Sequence, residues 1–219
     1  MSKNLARLLS VASEPISSTP AIGELSRLPA LSGSRGQELM SLLGSRNGFY
    51  TFESALLVRP LDFDASPLGI FQWNNAALWR SEYKADLGVV VFFAEDIFGV
   101  QFCIKDDSVN SFNPETGEFK VIAASLEDWS GWVMEDSKTR TGWPLAHFWQ
   151  LRQGALKLGT RLLPKVPFVL EGRFEIENLY ELNDVEGMRF RASIANQLRD
   201  CPDGSKVVLK VQRARDHES

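Results

Sequence analysis

The stretch Val89-Val90-Val91-Phe92-Phe93-Ala94-Glu95-Asp96-Ile97-Phe98-Gly99-Val100-Gln101-Phe102-Cys103-Ile104-Lys105 decides the fold. Its first part is a short, unbroken apolar run, which predicts a strand over 89–94 buried on both faces. Glu95 and Asp96 follow, and Gly99 permits a tight or bulged backbone just beyond them. Phe98, Val100, Phe102 and Ile104 then alternate with Gly99, Gln101, Cys103 and Lys105. That period of two predicts a second, half-buried strand over 98–104.

Reading outward toward the C-terminus, Pro114-Glu115-Thr116-Gly117 has turn chemistry, and residues 119–123 return as a third strand. Ser125-Leu126-Glu127-Asp128 fits a helix-capping pattern, with acids near the positive end of the helix dipole. Leu126, Trp129, Trp132 and Val133 recur at helical steps, so 126–134 should be a helix with Trp129 buried. Farther on, Trp143-Pro144 reads as a helix start, Phe168-Val169-Leu170 as a short strand, Met188 to Leu198 as a helix, and Val207 to Val211 as a last strand.

Toward the N-terminus, Trp73, Leu78, Trp79 and Tyr83 are read as core rather than as a ligand cage. Phe49-Tyr50-Thr51-Phe52 and Ala55-Leu56-Leu57-Val58 read as two short apolar segments. A helix from Gly36 to Arg46 precedes them, stopped by Asn47-Gly48, residues that tolerate the left-handed conformation. Leu5, Leu8 and Leu9 suggest a short leading helix before Pro15, Pro20 and Pro29 interrupt the chain. The expected class is α+β, an antiparallel sheet packed against helices. Three parts are expected: an irregular, partly helical segment 1–35, a core 36–142, and a helix–strand extension 143–219 packed on that core.

The 219 residues, 44% hydrophobic and 24% charged, suit a soluble globular chain with one large domain or one domain plus an extension. No apolar run approaches the roughly 20 residues of a membrane span, and no secretory leader is evident, so the cytoplasm is the expected location. Cys103 and Cys201 are too few for a disulfide scaffold, and the sequence leaves open whether they pair. The net charge of −4 is unevenly spread: three Lys/Arg against twelve Asp/Glu give residues 81–136 a local −9. Such a block is either a solvated face or a docking face for a basic partner, and it argues against nucleic acid as a direct ligand.

Arg46-Asn47-Gly48-Phe49, then Phe52-Glu53-Ser54-Ala55-Leu56, are followed in order by Phe92-Phe93-Ala94-Glu95-Asp96-Ile97-Phe98-Gly99, Gln101-Phe102-Cys103 and Ser125-Leu126-Glu127-Asp128-Trp129. This ordered set, over residues 36–137, resembles the SUKH superfamily, which includes many bacterial immunity proteins and a fungal cell-wall-synthesis regulator. The resemblance implies an α+β fold and a binding role, commonly neutralisation of a cognate toxin by occluding its active site. Residues 164–212 also resemble C-terminal regions of certain type VI secretion immunity proteins. That likeness rests on Pro167 to Gly172, Asn178-Leu179-Tyr180 and the helix around Ala192–Leu198, with Glu171 where the pattern would carry glycine.

Motifs for enzyme chemistry are missing from the sequence: it has no Gly-x-Ser-x-Gly elbow, no Walker loop and no Gly-x-Gly-x-x-Gly fingerprint. His147 sits among Trp143, Phe148 and Trp149, where a packed, hydrogen-bonded role is expected, and His217 lies in a polar tail. Neither histidine has a metal-ligand partner at suitable spacing. Glu95/Asp96, Asp106/Asp107 and Glu127/Asp128 could serve a metal-assisted hydrolase only if two pairs converged. The preferred expectation is therefore a non-enzymatic binding protein without cofactor, metal or catalytic residue. Its partner is expected to be a cognate, basic protein toxin, met by Glu95, Asp96, Asp106 and Asp107. A regulatory scaffold module and a metal-assisted hydrolase are the alternative readings.

Overall fold

The computed structural model describes residues 2–18, 31–61, 69–202 and 204. The fold is α+β. Six antiparallel strands form a meander in chain order: β1 (Phe49–Thr51), β2 (Leu56–Val58), β3 (Val90–Asp96), β4 (Gln101–Lys105), β5 (Ser108–Asn113) and β6 (Glu118–Ala123). Strand β3 is buried along its whole length; the apolar run predicts this for Val90 to Ala94, whereas Val89 stays outside the strand and exposed and the strand runs on through Glu95 and Asp96. Its alternate side chains feed two cores. Val91 and Phe93 face leucines from α1 (Lys3–Ser10) and α2 (Ser34–Ser45), together with Trp129 and Val133 of α4 (Leu126–Glu135). Val90 and Phe92 face an aromatic cluster of Trp73 from the short α3 (Ile70–Trp73), Trp79, Tyr83 and Phe112, closed by Met188 and Ala192 of α7 (Asp184–Leu198). The aromatic stretch is thus core, with Trp79 and Phe92 ring centroids 5.0 Å apart.

That second layer corrects the half-buried reading of β4. Gln101 and Cys103 lie under α7 and the aromatic cluster, so both faces of the strand are covered. The strand also begins later than expected, because Phe98 and Gly99 turn the chain, Gly99 at φ +75°. Sequence reading missed β5 altogether. Its Ser and Asn residues have low strand propensity, yet the two-residue turn Asp106-Asp107 aligns Lys105 with Ser108 and carries the ladder forward. Both turn residues have positive φ, 49° and 52°, the geometry of a type I′ hairpin.

The helix after β6 starts as the capping pattern predicts: the Ser125 hydroxyl accepts the Asp128 amide at 3.0 Å, and Trp129 is fully buried. Two short helices follow, α5 (Ser137–Thr141) and α6 (Trp143–Gln153), with Pro144 in the first turn of α6. A small second sheet pairs β7 (Thr160–Pro164) with β8 (Leu179–Asn183). Phe168–Leu170 is a 3₁₀ turn, not the expected strand, because Glu171 bends the chain into the left-handed region at φ 63°. Ile97, Phe98, Trp149, Leu162 and Leu179 form a third apolar cluster that joins the C-terminal part to the end of the large sheet. Both cysteines are free, Cys103 buried and Cys201 exposed. The strand expected over Val207 to Val211 lies outside the described residues.

Candidate partner-binding site

The four acids singled out in the sequence separate into two pairs at opposite ends of the sheet. In β3 a bulge at Phe93 shifts the register from Phe92↔Cys103 to Ala94↔Phe102. The extra residue turns Glu95 away from the leucine core toward the aromatic side. There its carboxylate meets Arg59 at 2.9 Å and the Nε of Arg161 at 2.7 Å, and it accepts Gln101 Nε2 at 2.7 Å. Arg59 also reaches Asp184 at 3.3 Å and lies 3.4 Å over the Trp73 ring. Two arginines and two carboxylates thus balance in a nearly water-free centre that ties β2 and β3 to β7 and α7. Burial acts against ionisation of Glu95, but Arg59 and Arg161 outweigh it and hold the carboxyl below its usual range.

Asp96 is buried as well, its Oδ1 accepting the amides of Phe98 and Val100 at 2.9 Å each. Burial pushes this carboxyl up to about 7, against the two backbone hydrogen bonds. The expectation that Glu95 and Asp96 stand at the surface is therefore corrected. Strand ends place side chains at the surface only where nothing packs beyond them, and here β7 and α7 do. A buried charge is tolerated only when paired, so Glu95 draws in arginines distant in sequence, whereas Asp96 is met by backbone amides and its charged form is disfavoured.

Asp106 and Asp107 meet the surface expectation. At the tip of the β4–β5 hairpin their side chains are 83% and 63% exposed. Strand register brings other acids to this end of the sheet. Exposed Asp86 and Asp128 lie here, as do Glu127, which caps α1 by accepting the Asn4 amide at 2.8 Å, and Glu38, which accepts the Leu126 amide at 2.8 Å. Arg35 reaches Glu38 at 2.8 Å and Asp107 at 3.8 Å, and Lys105 reaches Asp106 at 3.4 Å, so part of the charge is offset. Not all of the acidic block joins this face. Glu95, Asp96 and Glu115 are buried, and Glu118 starts β6 at the opposite end. Among the described residues no group of three or more His, Cys, Asp or Glu is placed to hold a metal ion.

A second feature was not legible in the sequence. Phe52, Glu53 and Ser54, the turn between β1 and β2, all have positive φ, 51°, 53° and 69°. Each such L-residue costs about 1–2 kcal/mol in the left-handed region. The turn is held from outside by α6: His147 Nδ1 lies 2.7 Å from a Glu53 carboxylate oxygen, Trp143 Nε1 donates to the other at 3.3 Å, and Gln150 donates to the Glu53 carbonyl at 2.9 Å. From inside, Arg161 donates to the Ser54 carbonyl at 3.4 Å. His147 is hydrogen-bonded and lies against the Trp143 and Phe148 rings as expected, although it stands partly open to solvent. A cleft of about 490 Å³ between α7 and the Pro114–Gly117 turn holds none of the four acids.

Comparison with known proteins bears on the fold alone. No family model and no curated protein matches the chain. Among solved structures it is similar to the crystal structure of Atu4351 from Agrobacterium tumefaciens, at 15% identity and a TM-score of 0.58, over 88% of each chain.

Proposed function

We propose that this chain is a non-enzymatic, cytoplasmic protein-interaction protein that binds and neutralises a cognate basic protein toxin, in the manner of the SUKH-type immunity proteins it resembles. The observation that carries the reading is the acidic end of the sheet, where Asp106 and Asp107 project from a two-residue hairpin turn at the same end as the exposed Asp86 and Asp128. Exposed like charges on a stiff support raise the rate at which an oppositely charged surface arrives. Support for the C-terminal resemblance comes from Glu171, whose backbone adopts the left-handed conformation where the resembled pattern carries glycine.

Affinity capture with the tagged chain, followed by mass-spectrometric identification, tests the proposal. A basic protein toxin should be retained by the wild type, less by an Asp106→Lys/Asp107→Lys variant, and its toxicity should fall when the chain is co-expressed. Co-expression that leaves the captured protein fully toxic would defeat the immunity reading.

A further inference from the structure

Helix α6 has apolar residues on every side, a pattern expected of a helix covered all round. Only part of it is covered. Ala146 and Trp149 pack inward against Leu162 and Leu179. Pro144, Phe148 and Leu151, spaced i, i+4 and i+7, form the outer stripe, with Phe148 53% and Leu151 70% exposed.

The flanks of this stripe differ in charge. On one side Arg152 is matched by Glu177 at 2.7 Å. On the other stands the half-exposed Glu53, presented by the strained turn and steadied by Trp143 and His147, whose ring lies 5.3 Å from that of Phe148. Hydrogen bonds from His147 and Trp143 hold the Glu53 carboxyl below its usual range, so Glu53 is ionised at neutral pH. The β1–β2 turn lies beside Asp96, so this face is at the opposite end of the sheet from the acidic hairpin.

We propose that the outer face of α6, with Glu53 at its rim, is a second docking surface, and that it takes an amphipathic helix whose apolar stripe is flanked by arginine or lysine. The aliphatic residues of that helix would lie along Phe148 and Leu151, and a cation would reach the Glu53 carboxylate. This surface goes beyond the acidic end and does not depend on the toxin reading.

The probe is a synthetic Leu/Arg amphipathic peptide of about 18 residues, five helical turns, with a Leu/Glu peptide of equal length as control. Amide NMR signals of residues 52–54 and 143–153 should shift with Leu/Arg and not with Leu/Glu. Phe148→Ala/Leu151→Ala removes only exposed side chains, so it should melt like the wild type while losing roughly tenfold or more in affinity. Glu53→Gln should bind more weakly, and Asp106→Lys/Asp107→Lys should bind as before. Several results would overturn the proposal: no binding, equal binding of both peptides, or shifts confined to the 105–108 hairpin. So would a dimer of the free chain in sedimentation that Phe148→Ala/Leu151→Ala abolishes, which would assign the face to a second copy.

Discussion

Glu95–Asp96 and Asp106–Asp107 are two adjacent acid pairs, one ending a strand and one forming a hairpin turn, and they meet opposite fates. The first is sealed under β7 and α7, Glu95 matched by Arg59 and Arg161 and Asp96 by two backbone amides, while the second projects into solvent. Local sequence does not separate them. What does is whether later chain covers that end of the sheet, and whether it brings cations when it arrives. An acidic run is therefore not one surface: here it supplies an ionic hub within the core and a separate exposed face.

The largest expected effect lies at the hub. Glu95→Gln leaves Arg59 and Arg161 buried without their shared carboxylate, which should cost about 3–5 kcal/mol, read as a fall in the urea midpoint. A loss below 1 kcal/mol would mean the hub is not closed to water. Because the carboxyl of Glu95 is held low, its contribution is present above the ordinary carboxylate range and lost as pH falls through the depressed value.

Asp96 should behave with the opposite sign. Its folded-state carboxyl titrates at about 7, against roughly 4 unfolded. Between those values the folded chain holds a proton that the unfolded chain releases, so its contribution to stability declines as pH rises toward 7. In Asp96→Asn the amide oxygen can accept the same two backbone hydrogen bonds. That variant should flatten the decline and be more stable at pH 8 by on the order of 1 kcal/mol, measured by thermal melts across pH. A destabilised variant at pH 8 would show that Asp96 is held as an anion.

A smaller gain is expected at Glu171. Glycine at its φ of 63° should stabilise by about 0.5–1 kcal/mol after the extra unfolded-state entropy of glycine is counted. A loss in the denaturant midpoint would point to a contact made by the Glu171 side chain. The smallest effect belongs to the exposed pair: Asp106→Asn/Asp107→Asn should leave stability within about 0.5 kcal/mol of wild type. A drop comparable to that of Glu95→Gln would erase the contrast between the two pairs.

Much of the scaffold was readable from periodicity, because β3, α4 and the aromatic core are specified by residues close in sequence. What failed was governed by distance. Strand β5 owes its pairing to the Asp106-Asp107 turn rather than to its own Ser and Asn residues. Arg161 stands among Arg152, Lys157 and Lys165 in the sequence with no acid between them, and its carboxylate partner is 66 residues away. One signal could have exposed the hub: Arg59 and Glu95 each end an apolar run suited to full burial, and a charge in such a place needs a partner. No comparable signal marked Phe52-Glu53-Ser54, which contains neither glycine nor asparagine, the usual residues of a left-handed turn.

The most direct test of the acidic end as a docking face is stopped-flow association with the captured partner at two salt concentrations, comparing wild type with Asp106→Lys/Asp107→Lys. Exposed charges screened over roughly 8 Å at physiological ionic strength act on the encounter rate. The expected result is slower association with a weaker salt dependence, an unchanged circular dichroism spectrum and little change in dissociation. Association that is equally fast and equally salt-dependent in the variant would contradict the docking role and leave the acidic end a solvated face.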